Sequence, residues 1–464
     1  MKDKVIGIVI TDGVGYRNFV LSPFFNELTV KYNVIVIYSG LPKNVYSENL
    51  KTFKNIIIRE LKVFSESKTT WFYRKLKEVA HMYLHRDFYG IIDTLERGYP
   101  KENTKRGLIV KAIYAIAKFF HSEKNIQYYE KRQFNTFRKN PITISYANFL
   151  DEDQPDLLFF THQRPPYLAP FLAMAKKNKI ETTSFIFSWD NLASKGRMLG
   201  SFDGHFVWSK LMKDELLHFY PTVVEKNIKI IGAPQFEHYT MEKYKISKNE
   251  FFTKFNLDFE KKIICYSCAD ASIGKNDDIY IRAIVNFIEK SEKLQLLVRT
   301  SPAEDGKRFS NLIKQHPDIK WNIPKWISTR EQHVENWSQR VPSEEDIIDL
   351  RAILAYSDVN VNMMSTMSLD FMLFDKPVVN TAFGNSENGL YNDQRFLKYV
   401  HYDYVVKSNA VTISKNEKEL HTHLKEALIE PELRKKERKA LLDFEIGAPL
   451  EGTSKRIVEA LKTL

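Results

Sequence analysis

Residues 5–18 read Val5-Ile6-Gly7-Ile8-Val9-Ile10-Thr11-Asp12-Gly13-Val14-Gly15-Tyr16-Arg17-Asn18. An apolar run without alternation passes straight into a polar turn that carries two glycines. A strand buried on both faces has this pattern, because helices cover both sides of a parallel sheet. Ser22-Pro23 then opens a helical pattern. Strand, glycine turn and helix start, in that order, put the turn at the carboxyl end of a sheet, where backbone N–H groups can meet a ligand. The same turn also reads as a bend that needs glycine for its geometry alone. It is not GxGxxG, and no acid follows at the dinucleotide spacing, which argues against a nicotinamide enzyme.

The unit recurs outward from there. Further strands are predicted at Val34–Tyr38, Ile56–Ile58, Leu157–Thr161, Thr183–Ser188, His205–Trp208 and Ile228–Ile231. A second series follows at Ile263–Tyr266, Leu294–Arg299, Ile319–Trp321, Val359–Asn362, Val378–Asn380 and Tyr404–Val406, with helical stretches such as Ile279–Glu289 and Glu344–Tyr356 between them. Two such series in 464 residues predict an α/β chain of two doubly wound, Rossmann-like domains. The first spans 1–240 and the second 241–445, with the boundary marked by Gly232-Ala233-Pro234; a helix over 446–464 is expected to pack back on the first. Residues 62–140 interrupt the first series with helices and no clear strand.

Composition narrows the class. Hydrophobic residues make up 43% of the chain, enough for a large core, and two cysteines exclude both a disulfide scaffold and a zinc site built from cysteine. No targeting segment is visible at the start. The longest nearly apolar stretch, LIVKAIYAIAKFF at 108–120, carries two lysines and falls short of the ~20 apolar residues of a membrane span. A cytoplasmic protein is expected, peripheral at most on the inner face of a membrane. The net charge of +11 sits entirely in 51–140, which holds 20 Lys+Arg against 9 Asp+Glu; the remainder is neutral. Sixteen of those ninety residues are aromatic. A localised basic segment implies a specific anionic partner. An anionic membrane surface is the expected one, and a nucleic acid stacking on the aromatics is the rival. A basic helix solvated on one face and packed on the other is the plainer reading.

Several loops concentrate polar chemistry directly after strands. Trp189-Asp190-Asn191-Leu192-Ala193-Ser194-Lys195-Gly196-Arg197 offers Asp190 as a general base and Lys195 and Arg197 as phosphate partners. Asp190 is also a candidate helix cap. Thr161-His162-Gln163-Arg164 offers His162, a side-chain type that exchanges protons near neutral pH, and Asp12 is a third candidate base. Asn362-Met363-Met364-Ser365-Thr366-Met367-Ser368-Leu369-Asp370 brings three hydroxyls to a helix start, fit either to donate to a phosphate or to cap the helix. Arg299, in Arg299-Thr300-Ser301-Pro302, suits a phosphate or a carboxylate equally. Trp321, Trp326 and Trp337 lie in a loop-like stretch and can stack on a base or cover the core. Three signals are discounted: the Cys265/Cys268 pair, which stands alone; Asp151-Glu152-Asp153, a DxD by letter in a polar turn; and His421/His423 in a charged helix.

Taken in order, these residues resemble the GT-B glycosyltransferase superfamily. Asp358-Val359, Ser365 to Phe371 and Asp375-Lys376-Pro377-Val378 resemble its donor-binding strand, loop, helix and following strand. Arg299-Thr300-Ser301-Pro302 is similar to the R-x-H-P loop of the CDP-glycerol glycerophosphotransferase-like branch, with Ser301 replacing the histidine. Ile231-Gly232-Ala233-Pro234-Gln235-Phe236 resembles the run that closes the N-terminal domain, with Glu237 for the usual Asp, and Glu451 to Ile457 resembles the start of the final helix. Ser188-Trp189-Asp190-Asn191-Leu192, with Lys195-Gly196, looks like the SWDN run of some bacterial members.

The resemblance implies two Rossmann-like domains facing a central cleft, with a helical insert in the first. It implies a metal-independent glycosyltransferase of bacterial surface polysaccharide or glycoconjugate synthesis, with a nucleotide-sugar donor as substrate and no further cofactor. Arg299, Ser301, Ser365, Thr366, Ser368, Asp370 and Lys195 would bind the donor. Asp190, His162 or Asp12 would act as base toward a glycan or lipid-linked acceptor. A nucleotide-sugar 2-epimerase of the same fold is the alternative enzyme, and a nucleic-acid-binding protein using the basic segment is the alternative outside enzymes; no nucleic acid is expected as partner.

Overall fold

Parallel pairing organises both halves of the chain. The computed structural model describes residues 4–331, 336–384 and 393–463. Strands β1 (Val5–Ile10), β2 (Val34–Ser39), β3 (Ile56–Glu60), β4 (Leu157–Phe160), β5 (Glu181–Phe185), β6 (Gly204–Val207) and β7 (Ile228–Ile230) form a seven-stranded sheet in the order β3-β2-β1-β4-β5-β6-β7. Strands β8 (Lys262–Ser267), β9 (Leu294–Arg299) and β10 (Lys320–Asn322) precede a short pair, β11 (Trp326–Ser328) with β12 (Arg340–Pro342). Strands β13 (Val359–Asn362), β14 (Val378–Thr381) and β15 (Thr412–Ser414) complete a six-stranded sheet ordered β10-β9-β8-β13-β14-β15. The chain is therefore α/β with two doubly wound parallel sheets, as the apolar runs predicted.

Each sheet reverses its winding once. The reversal falls between β1 and β4 in the first sheet and between β8 and β13 in the second. At such a point two adjacent loops leave the carboxyl ends in opposite directions and open a crevice, the usual ligand position in this architecture.

The chain divides into two units. One comprises the chain up to Glu237, Ser328–Val341 and the chain from Glu445 onward; the other comprises His238–Ile327 and Pro342–Phe444. In the first, Ile6, Ile8 and Val9 of β1 are fully buried, and Phe19 meets Phe24 and Phe159 edge-on at 5.2 and 5.5 Å. Each such ring removed from water contributes about 2–3 kcal/mol before conformational entropy is counted. Glu237 joins the final helix to this unit: its carboxylate accepts the Ser454 amide at 3.0 Å and the Ser454 hydroxyl, at the start of helix Thr453–Leu461. Arg456 donates to the Ile231 carbonyl at 3.2 Å. Two motifs far apart in sequence thus form one joint.

Between β3 and β4 the chain forms the helices Lys68–Leu84, Tyr89–Gly98, Lys105–Phe119, Glu123–Phe137 and Pro141–Asp153. They are pinned to the loops around β5 and β6 by charges. Arg197 makes a two-pronged pair with Glu123, at 2.9 Å through Nη1, and lies over the Tyr220 ring. Buried Lys77 donates to the Leu199 carbonyl at 2.7 Å. Glu130 accepts from the Ser201 amide at 2.9 Å.

The structure differs from the sequence reading at Tyr404–Val406. These residues lie inside helix Val400–Ser408, and the strand comes later, at β15. The β-branched pair is misleading; Tyr402 and Val405, three apart, bury one helical face, and Asn409 ends the helix in the left-handed region at φ 56°. The β11–β12 pair carried no strand signal of its own.

Candidate functional site

In the first unit the two loops of the reversal point meet. Asp12 follows β1 and caps the single turn Gly13–Gly15, accepting from the Gly15 amide at 2.8 Å and from the Thr11 hydroxyl at 2.6 Å. Its remaining partner is His162, after β4, whose Nδ1 lies 2.9 Å from the carboxylate. Burial alone would push the Asp12 carboxyl up, since no part of it is exposed. The bond and charge of His162, with Thr11 and Gly15, outweigh burial and hold it below the ordinary carboxylate value. An ionised carboxylate only accepts, so the His162 Nδ1 that faces it carries a proton, and in the neutral ring with this tautomer Nε2 is the acceptor. The His162 ring stacks on Phe187 at 3.9 Å with an interplanar angle of 14°. Trp337 approaches it edge-on at 6.2 Å and is 45% exposed.

Asp190 does not join this pair. Its carboxylate faces Lys195 at 3.2 Å and accepts from the Asn191 amide group at 3.0 Å, and its backbone carbonyl accepts the Ser194 hydroxyl. It begins the short helix Asn191–Ser194, but no side-chain capping bond forms. Lys195, expected at a phosphate, pairs with Asp190, and Arg197, expected there too, pairs with Glu123. The rest of the loop supports the histidine: Gln163 donates to Asn191 at 3.0 Å and accepts from the Phe187 amide at 3.1 Å. The glycine turn also corrects its reading. A Cβ on Gly13 would lie 1.7 Å from the Arg340 carbonyl oxygen, so this glycine admits another stretch of backbone rather than a ligand.

In the second unit the reversal point carries the Asn362–Asp370 loop. Asn362 is fully buried, and its Oδ1 accepts the Ser365 amide at 2.9 Å and the Asn380 amide group at 3.1 Å. Met364 adopts φ 45°, a conformation costly for a residue with a Cβ. Ser365 and Thr366 remain half-buried at this turn. Ser368 does not: it is fully buried and shares hydrogen bonds with Asn362, Asn380 and Tyr402, so it braces the loop from beneath. Asp370 accepts from the Tyr239 hydroxyl and is 6% exposed.

Arg299 meets a carboxylate within its own unit. It is 4% exposed, pairs with Asp346 at 3.1 Å and donates to Asn322. Ser301, also buried, accepts the Ala303 amide at 3.3 Å in its own turn. Trp326 donates to the same Asp346 at 2.8 Å, and Trp321 packs on Phe309 at 5.3 Å, which leaves Trp337 as the exposed member of the three. Asp153 of the discounted DxD is held by Arg59 and Tyr38.

Sequence reading missed two groups. Asn362 reads in the sequence as a strand end and loop start with no role of its own, although a buried amide closing a strand is the signal of a loop organiser. Asp277, after β8, accepts from Tyr266 and Arg308, both at 2.6 Å, and Asp393 accepts from Tyr280 at 2.7 Å and Asn276 at 3.1 Å. Burial raises both carboxyls, Asp393 to about 6.

No family model and no curated protein matches the sequence. Solved structures do match in fold. S. aureus MnaA with UDP aligns at a TM-score of 0.57 and 12% identity, over 99% of this chain and 96% of that one. The UDP-GlcNAc 2-epimerase of Neisseria meningitidis bound to UDP-GlcNAc aligns at 0.53 and 12%, over 99% and 100%. A glycosyltransferase from Rickettsia africae aligns at 0.53 and 11%, over 100% and 99%. The chain has the fold these proteins share, GT-B.

Proposed function

We propose that this GT-B-fold chain is a glycosyltransferase that moves a sugar from a nucleotide-activated donor to an acceptor hydroxyl, glycan or lipid-linked, in bacterial surface glycan synthesis. The observation that carries the reading is the Asp12–His162 pair at the β1/β4 reversal point. His162 Nε2 takes the acceptor proton as the acceptor oxygen bonds to the anomeric carbon. Asp12 fixes the tautomer and stabilises the imidazolium that forms. The bond to the donor diphosphate breaks in the same event, and donors of the 363–366 turn are assigned to the leaving oxygens. Trp337 is assigned to the acceptor, offering an apolar face beside His162.

The test is turnover. The protein is incubated with nucleotide sugars, with and without candidate acceptors, and nucleoside diphosphate release and the remaining sugar are analysed. Acceptor-dependent release supports the reading. Inversion at C2 of the sugar without any acceptor assigns the protein to the epimerases, which stand among its structural neighbours.

Replacing both Ser365 and Thr366 with alanine is expected to weaken nucleotide binding about 30-fold, from roughly 1 kcal/mol for each of two hydrogen bonds lost. Calorimetric titration of the folded double variant measures it, and unchanged affinity would move the diphosphate elsewhere.

A further inference from the structure

Helix Lys105–Phe119 carries its apolar residues on two faces. Ile113, Tyr114 and Ala117 are buried against the rest of the first unit, and Tyr114 donates to the Leu95 carbonyl at 2.9 Å. Leu108, Ala112, Ala115, Ile116 and Phe119 recur at three- and four-residue spacing on the opposite face, and all are exposed. The exposure is large: 54% for Leu108, 46% for Ile109 and 77% for Phe119, with Phe120 just beyond at 57%. A helix that only packed on its domain would hide its larger apolar side chains and show its polar ones. Here Leu, Ile and Phe point to solvent.

Cations border this stripe. Lys105, Arg106 and Lys118 are exposed on the same helix, and Lys111 reaches the Asn103 side chain at 2.6 Å. From 103 to 140 the sequence has nine Lys+Arg and only two acids, Glu123 and Glu130. Both acids are spent inward, on Arg197 and on Ser201. The outer surface of this segment is thus basic around an apolar ridge. Among the described residues no helix is long and apolar enough to cross a membrane. Arg74 and Lys75 of the preceding helix do not add to the patch, because they pair with Glu66 and Glu78.

We infer that this face docks on an anionic lipid surface, with helix Lys105–Phe119 lying in the headgroup plane, its Leu/Ile/Phe stripe entering the acyl boundary and its lysines at the phosphates. Charge selects the occupant. A second copy would bring like charge against like charge, and a nucleic acid would leave the aliphatic stripe in water. A basic helix with an exposed apolar face satisfies both features at a lipid interface. The inference does not rest on the catalytic reading, because its test reads binding alone.

The full chain is sedimented with vesicles of phosphatidylcholine, and of phosphatidylcholine mixed with phosphatidylglycerol, at low and high salt. Selective binding to the anionic vesicles, weakened by salt, is expected. Exchange of Lys105, Arg106 and Lys118 for glutamine should lower partitioning on the order of 100-fold, at about fivefold per cation. Leu108→Ser with Ile116→Ser and Phe119→Ser should abolish it, and melting curves check that each variant folds, since the altered side chains are solvent-exposed. The inference is overturned by any of three results: no binding at low salt, variants that bind as the parent does, or a concentration-dependent dimer that the serine variant loses.

Discussion

Alanine at position 162 is expected to cut turnover by about 10²–10⁴-fold while donor affinity stays unchanged. The magnitude is that of a positioned general base, and the assignment rests on what surrounds each candidate. His162 is fixed on three sides, by Asp12 at Nδ1, by Phe187 on its face and by Trp337 at its edge. A fixed ring presents Nε2 in one direction, which is the orientational requirement for proton transfer. Asp190 instead faces Lys195, so its charge already has a partner. Asp12→Asn is expected to be nearly as damaging as the loss of His162, because an amide can donate to Nδ1 and stabilise the wrong tautomer. Asp190→Asn should retain most activity. A folded His162→Ala protein at full rate, beside an inactive Asp190→Asn, would reverse the assignment.

Much of the fold was legible because parallel strands announce themselves. Val5–Ile10 and Val359–Asn362 were read with the bounds the structure shows, since a strand buried on both faces has no reason to alternate. Tyr404–Val406 failed because three β-branched or aromatic residues in a row say nothing of the helical burial of Tyr402 and Val405. The β11–β12 pair was invisible because three-residue strands depend on partners the local sequence does not name. For the site, the candidate residues were legible as types but not as pairs. Asp12 and His162 lie 150 positions apart, and only the adjacency of β1 and β4 brings them together. Arg299 and Lys195 show the converse: a cation after a strand is legible as a type, but its carboxylate partner, Asp346 or Asp190, is not. Ser368 was counted with Ser365 because the letters are equal, yet its place on the helix turns it into the Asn360–Asn362–Asn380 network.

The second large effect is on stability and its pH dependence, and it comes from a pair that the sequence did not flag. Glu215 lies on helix Lys210–Phe219 and Glu445 on helix Lys435–Ile446, and both are buried in the first unit. Among the described residues the Oε1 atoms of both lack hydrogen-bond partners. Burial pushes the Glu215 carboxyl from 4.5 to about 8, with the negative charge of Asp190 adding to it. Burial raises Glu445 well above its ordinary value, with the charge of Glu215 adding. Both therefore stay protonated in the folded protein where the unfolded chain has released its protons. Between 4.5 and about 8 the folded state binds more protons than the unfolded one, so stability falls as pH rises through that window. The contribution is fully present below 4.5 and lost as pH passes about 8. At about 1.4 kcal/mol per unit, the rise at Glu215 alone is worth on the order of 4–5 kcal/mol. Glu215→Gln keeps the shape and cannot ionise, so its stability should be nearly flat where the parent's declines, and the gap between them should be widest above pH 8. Glu445→Gln should act in the same direction, and the double variant should gain less than the sum, because removing one charge relieves the other. Urea unfolding midpoints at a series of pH values measure all three. Parallel pH profiles for parent and variants would mean that these carboxyls meet water or a cation when they ionise, and the buried acid pair would then carry no such penalty.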